Sequence, residues 1–239
     1  MIRGFYTALS GIIATMTRQS VVADDIANVN TPGFKESRTT QADFGFMITS
    51  SLDGHLVGPL GTATLPVGLT LDRLQGPLEA TTLTTDFGIE GDGLFAVATS
   101  GGVAYTRAGD FAIDVNGTLT TQRGEPILDT TGKPIHVPNR ATFAVGADGT
   151  VAGTGQRIAL VSFPPGGVTR LGDNLYALAG PIGPATGRIR QGVLEHSNVD
   201  LATSMTELMT LQRQFSLSSR ALSIQEQTIG DANDVGRVR

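Results

Sequence analysis

Apolar side chains at Ile2, Phe5, Leu9, Ile12, Met16, Ala23 and Ile26 follow one another in steps of three and four, with Gln19 the one break in the stripe. That spacing predicts a helix over residues 3–28. It is as much a coiled-coil seam as a globular helix face. Asp24 and Asp25 sit near its C-terminal end, where negative charge opposes the macrodipole slightly. Asn28 and Asn30 then end it, and Pro32–Gly33 turns the chain, with Gly33 suited to a positive φ. At the other end Leu201, Leu208, Phe215, Leu222 and Ile229 recur every seven residues and predict a second helix over 197–233. The companion column begins with Met205 and turns polar through Gln212, Ser219, Glu226 and Asn233, as suits a helix that shares its stripe with several neighbours. Ser197 or Asn198 is expected to cap it, with Asp200 in the first turn. Neither helix has a matching apolar face nearby in sequence, so the two are expected to pack on each other.

Between them the period changes. Short alternating runs fill residues 76–192, at the spacing of a sandwich or barrel-like sheet. Val-Asn-Gly-Thr at 115–118 and Ala-Asp-Gly-Thr at 147–150 lie between such runs and predict hairpins. Residues 34–75 are punctuated by Gly and Pro and read as a hinge or a small extended subdomain. The expected fold is therefore α+β, with N- and C-terminal helices paired as a coiled-coil-like core domain and an all-β domain inserted between them. The expected divisions are 1–33, 34–75, 76–192 and 193–239. A pair of amphipathic helices alone is a weak core, so its order is expected to grow when many copies bundle.

Composition narrows the chemistry. The 239 residues include 31 Gly, no Trp, no Cys and only 16 % charged residues, with a net charge of −5. Without a Lys/Arg cluster a phosphate-tracking surface is not expected, so nucleic acid is excluded as a partner. The absence of Cys removes disulfides, thiolate metal sites and a Cys nucleophile. No run is long and apolar enough to span a membrane, and Tyr6, Thr7, Ser10, Thr15, Thr17 and Arg18 interrupt the N-terminus too often for a cleaved signal peptide. His55, His136 and His196 have no partners at metal-ligand spacing. Gly-Ile-Glu-Gly-Asp-Gly-Leu-Phe at 88–95 lacks the Lys-Ser/Thr ending of a phosphate loop, and Glu90 and Asp92 would repel phosphate. It reads as a tight turn between strands. No nucleophile elbow is present. Neither an enzyme activity, a cofactor nor a small-molecule substrate is expected.

The stretch Asp-Asp-Ile-Ala-Asn-Val-Asn-Thr-Pro-Gly-Phe-Lys at 24–35 closely resembles the Asn-Asn-Leu-Ala-Asn-x-x-Thr-x-Gly-Phe/Tyr-Lys motif of bacterial flagellar rod and hook proteins, with Asp24–Asp25–Ile26 replacing Asn-Asn-Leu. The opening at 1–12, the Gly-Asp-Gly-Leu-Phe-Ala-Val segment at 91–97, the hairpin with Tyr-Thr-Arg-Ala-Gly-Asp-Phe at 104–121 and the stretch at 192–215, where Glu-His-Ser-Asn-Val leads into a helix containing Gln-Arg, are similar to family segments in the same order. The resemblance implies a rod protein of the FlgF/FlgG class. The long spacing between Phe34 and Gly91 is like that of the distal rod protein, FlgG, while the sequence of that stretch leaves the proximal one, FlgF, open.

Several expectations come with that resemblance. The chain would be a structural subunit polymerising helically with itself into the drive shaft that carries torque from motor to hook. Its partners would be neighbouring rod and hook proteins, the rod cap and the flagellar type III export apparatus. Its place would be the basal body in the cell envelope, periplasmic where an outer membrane exists. The residues expected to carry assembly and packing are Leu9, Ile12, Met16, Ile26, Asn28, Asn30, Gly33, Leu201, Met205, Leu208, Phe215, Leu222 and Ile229. A rival of another class is a secreted carbohydrate-binding β-domain with helical oligomerisation ends. It would need a stacking face, and the chain has no Trp and three Tyr.

Overall fold

The computed structural model describes residues 2–43, 64–163, 167–179 and 183–237. The fold is α+β. Among the described residues, a first helix, α1 (Ile2–Ala27), precedes thirteen strands and a last helix, α2 (Leu201–Arg237). The strands are β1 (Ser37–Asp43), β2 (Thr64–Leu71), β3 (Leu78–Ala80), β4 (Phe87–Glu90), β5 (Leu94–Thr99), β6 (Gly102–Thr106), β7 (Ala112–Ile113), β8 (Leu119–Thr120), β9 (Leu160–Val161), β10 (Val168–Gly172), β11 (Leu175–Leu178), β12 (Arg188–Gln191) and β13 (Val193–Glu195). The chain divides into two compact units. One holds α1, β1, most of β2 and α2. The other, here the β-unit, holds Asn28–Glu36 and Leu71–Val199.

In the first unit α1 packs along α2, and Arg18 pairs with Glu207 across them at 2.6 Å. Both side chains are partly exposed, so this pair adds little stability. β1 and β2 form a two-stranded sheet from the segment expected to be a hinge or extended subdomain. Thr40 Oγ1 donates to the Gly68 carbonyl, and Thr70 Oγ1 to that of Arg38. Residues 44–63 of that segment, with His55, lie outside the described residues. Asp25, near the end of α1, is buried and accepts from the Ser37 amide, so its charge ties helix to strand. The cap of α2 is Asp200, whose Oδ1 accepts from the amides of Ala202 and Thr203. Ser197 and Asn198, the expected caps, are engaged within the β-unit. Ser197 Oγ accepts from the Val199 amide, and Asn198 bonds to the backbone of Glu36, Asp72 and Leu74.

The β-unit is built around one five-stranded sheet, in the order β10-β11-β6-β5-β9, with β12–β4, β13–β3 and β7–β8 as two-stranded pieces. Its core gathers Phe87, Phe95, Phe111, Phe143, Leu119 and several Ile and Val. Phe95 meets Phe111 edge-on with ring centroids 5.0 Å apart, and Phe87 meets Phe143 the same way at 5.8 Å. The strands are short because glycine turns interrupt them. Both predicted hairpins are present. At 114–118 the Asp114 carbonyl accepts from Gly117, and the Asp114 amide donates to Thr118. At 146–150 the same two bonds join Gly146 with Gly149 and Thr150. Residues 121–125 and 129–133 repeat the arrangement. Gly117, Gly124, Gly132 and Gly149, at the fourth position of these turns, all have positive φ, the signature of a turn closed by a glycine bulge.

Candidate functional site

The segments that carry the family resemblance converge inside the β-unit. Lys35, from the 24–35 stretch, and Arg107, from the Tyr-Thr-Arg hairpin, both reach Glu195, from the Leu-Glu-His-Ser-Asn entry. Lys35 Nζ lies 2.6 Å from Glu195 Oε1, and Arg107 Nε lies 2.6 Å from Oε2. All three side chains are 1–2 % exposed. Removing charges from water this fully is tolerated only when the partners are close and the remaining donors are satisfied. They are. Lys35 also donates to the Leu74 carbonyl, and Glu195 Oε1 also accepts from the Gly76 amide. The other guanidinium nitrogens of Arg107 donate to the carbonyls of Gly93, Ile89 and Gly91. The glycine-rich stretch at 88–95 is therefore the reverse of a phosphate cradle. It turns carbonyls inward on a cation of the same chain. Burial pulls the Lys35 pKa down, the Glu195 charge opposes that, and the like charge of Arg107 adds to the fall.

A clamp holds the segment that carries Lys35. Gly33 has φ +65, and its amide donates to the Glu195 carbonyl. A Cβ there would meet the Arg107 carbonyl carbon and oxygen at 2.3 Å, so only glycine fits. The β10–β11 hairpin closes over the same place. Arg170 stacks on the Phe34 ring, 4.3 Å from its centroid, and donates to the Lys35 carbonyl. Asn174, held at φ 58 in the turn, donates to the Pro32 carbonyl, and Tyr176 bonds its side chain. Lys35, Arg107, Glu195, Arg170 and Asn174 are absent from the residues singled out by periodicity. The signal available for the first three was their position inside the quoted segments.

The residues expected to carry assembly fall into two groups. In the β-unit, Gly33 is buried, Asn28 is half-buried with Oδ1 accepting from Thr31 Oγ1, and Asn30 is exposed. On the helices, Leu9, Met16, Leu201 and Met205 are 37 %, 55 %, 40 % and 48 % exposed. Ile12, Ile26, Leu208, Phe215 and Leu222 are half-buried, and the side chain of Ile229 lies outside the described ones. Among the described side chains of the helices, the buried ones are Ala14, Thr15, Val22, Asp25 and Leu211. On α1 the positions Thr15, Val22 and Asp25 each precede an expected seam residue, Met16, Ala23 and Ile26, by one. One residue is a rotation of about 100° around the helix. Ile13, Met209, Leu217 and Ile224 are exposed as well.

Three family models match in succession. "Flagella basal body rod protein" covers residues 5–35, "Flagellar hook protein FlgE/F/G D1 domain" 88–153, and "Flagellar basal body rod FlgEFG protein C-terminal" 190–235. Among curated relatives, the flagellar basal-body rod protein FlgG of Bacillus subtilis is 34 % identical over 266 aligned residues, spanning 99 % of this chain and all of the relative. The FlgF of Mesorhizobium japonicum is 36 % identical over 88 % of each chain, and that of Escherichia coli 30 % identical over 98 % of each. The match is thus nearly full-length and includes the three segments that meet at the buried ionic cluster: this chain belongs to the flagellar basal-body rod protein family, in the FlgF/FlgG class.

Proposed function

We propose that the chain is a structural subunit of the bacterial flagellar basal-body rod, assembling helically with copies of itself into the shaft that carries torque from motor to hook. The observation that carries this is the nearly full-length match to rod proteins of both kinds. The helices support it from the physical side. Leu9, Met16, Leu201 and Met205 leave apolar surface uncovered in the single chain, at positions the heptad reading assigns to assembly. Heterologous contacts that do not close are the kind that build a filament.

In this reading the helices of both termini pair as a coiled-coil-like inner core, and the β-unit is inserted between them as the outer, stiffening part. Neighbouring rod and hook proteins cap the two ends of the stack. The chain leaves the cytoplasm through the flagellar type III apparatus and resides in the cell envelope, in the periplasm where an outer membrane exists. We take the distal, FlgG-like position for it, on the long spacing between Phe34 and Gly91.

A clean deletion followed by electron microscopy of isolated basal bodies tests the proposal. A membrane ring with a truncated or absent rod and no hook is the expected result, and the length of the remaining stub separates proximal from distal. Complete basal bodies carrying a normal hook would overturn it.

A further inference from the structure

Glu195 arrives at its two cations on a short strap, residues 193–199, that is threaded between two earlier segments. On one side the strap accepts from the Gly33 amide through the Glu195 carbonyl, and the Asn198 amide donates to the Phe34 carbonyl. On the other, β13 pairs with β3, and the His196 amide donates to the Pro77 carbonyl. The Asn198 side chain bridges both sides, accepting from Glu36 and donating to Asp72 and Leu74. We propose that this strap is a completion lock: the β-unit does not close until residues 193–199 have seated Glu195 between Lys35 and Arg107.

The charges make the lock. In a β-unit closed without the strap, Lys35 and Arg107 would be two like charges buried together without their shared carboxylate, and the Asp72 charge would act on Lys35 alone in place of Glu195. That state is disfavoured by both desolvation and repulsion. Arg107 extends the effect to the middle of the unit, because it also holds the carbonyls of Ile89, Gly91 and Gly93 at the entry to β5, an inner strand of the main sheet. The contacts that satisfy the cations span 160 and 88 residues of sequence, so they carry the loop-closure cost of late, non-local pairings. A chain that emerges N-terminus first presents every other strand before Glu195 appears. The lock is a property of the β-unit alone and stands apart from the rod role.

Pulse-labelled hydrogen exchange during refolding of the full-length chain tests it. The expected result is that amides of β5, β6 and the hairpins at 114–118 and 146–150 gain protection in the same kinetic phase as β13. Glu195→Gln keeps the side-chain shape and an acceptor for Gly76 but removes the charge. It slows that common phase about tenfold or more, and adding Lys35→Met to it recovers part of the rate. Protection of β5, β6 and the hairpins in a phase ahead of β13 in the unaltered chain would overturn the lock. So would a Glu195→Gln variant that refolds at the unaltered rate. If Glu195→Gln does not fold, the order of phases in the unaltered chain decides alone.

Discussion

Lys35 is a charged group held where water does not reach, and its titration has a sign that can be worked out. Burial lowers its pKa in the folded state below the ordinary value of about 10.4. Between those two values the unfolded chain binds more protons than the folded one, so stability rises with pH through that window. Below the window the cost of burying the cation is present in full. Measured as urea midpoints, the difference between the unaltered chain and Lys35→Met should therefore move in favour of the unaltered chain as pH climbs toward about 10. A flat or falling difference would mean that the ammonium is solvated in solution. None of this was visible in periodicity. An ionic contact has no repeat, and partners 160 residues apart leave no local trace of their meeting. Gly33 was legible, because a Pro-Gly turn ending a helix demands a positive φ whatever surrounds it.

Elements follow from local chemistry where that chemistry is distinctive. Asn-Gly and Asp-Gly mark the turns at 114–118 and 146–150, and both form. The turns at 121–125 and 129–133 have the same bonds but carry Arg and Thr before the glycine, which gives no comparable signal. Three of the four share a side chain at the first position, Asp114, Thr121 or Asp129, folding back on the loop, while the turn at 146–150 begins with a glycine. Asp114 Oδ1 accepts from the amides of Asn116 and Thr118, and Asp129 Oδ1 from those of Thr131 and Lys133. The cap of α2 was misplaced for a related reason. Ser197, Asn198 and Asp200 are all good caps in isolation, and the hydrogen bonds of Ser197 and Asn198 inside the β-unit leave Asp200 to do it. The amides that Asp114 and Asp200 accept hold both carboxyls below the usual carboxylate range. For groups lowered in this way, the stability they add is present above about pH 4 and is lost as pH falls through their folded values. Asp110 runs the other way, because burial raises it. Replacing Asp114 by Asn keeps the acceptor and removes the titration, so the acid limb of a thermal-melt series should become shallower. Asp200→Asn should leave helix content near that of the unaltered chain at neutral pH, and Asp200→Ala should lower it. Equal helix content in the two Asp200 variants, by circular dichroism, would rule out capping by this side chain.

At the scale of the whole molecule, the sequence pattern located both terminal helices to within a few residues, and its heptad positions among the described side chains are half-buried or exposed in the single chain. The heptad columns select positions by spacing alone, whereas the single chain buries Ala14, Val22 and Leu211 beside them. The offset leaves Met16 and Met205 about half exposed, which a helix serving only its own chain would not require. If the two sides have separate work, substitutions on them should separate as well. Leu208→Asp and Phe215→Asp lie in the seven-residue column and on half-buried positions of α2. Each places a carboxylate where neighbouring helices would have to desolvate it, which disfavours association strongly. In cells the expected outcome is no rod and no hook. In the purified chain the β-unit keeps its near-ultraviolet spectrum and its melting transition, because its aromatic core, Phe87, Phe95, Phe111 and Phe143, is drawn wholly from residues 71–199. Rods of normal length built from either variant would show that this column is not an assembly surface. Loss of the β-unit transition along with the rod would show that α2 and the β-unit fold together, and that the division of the chain into two units does not survive in solution.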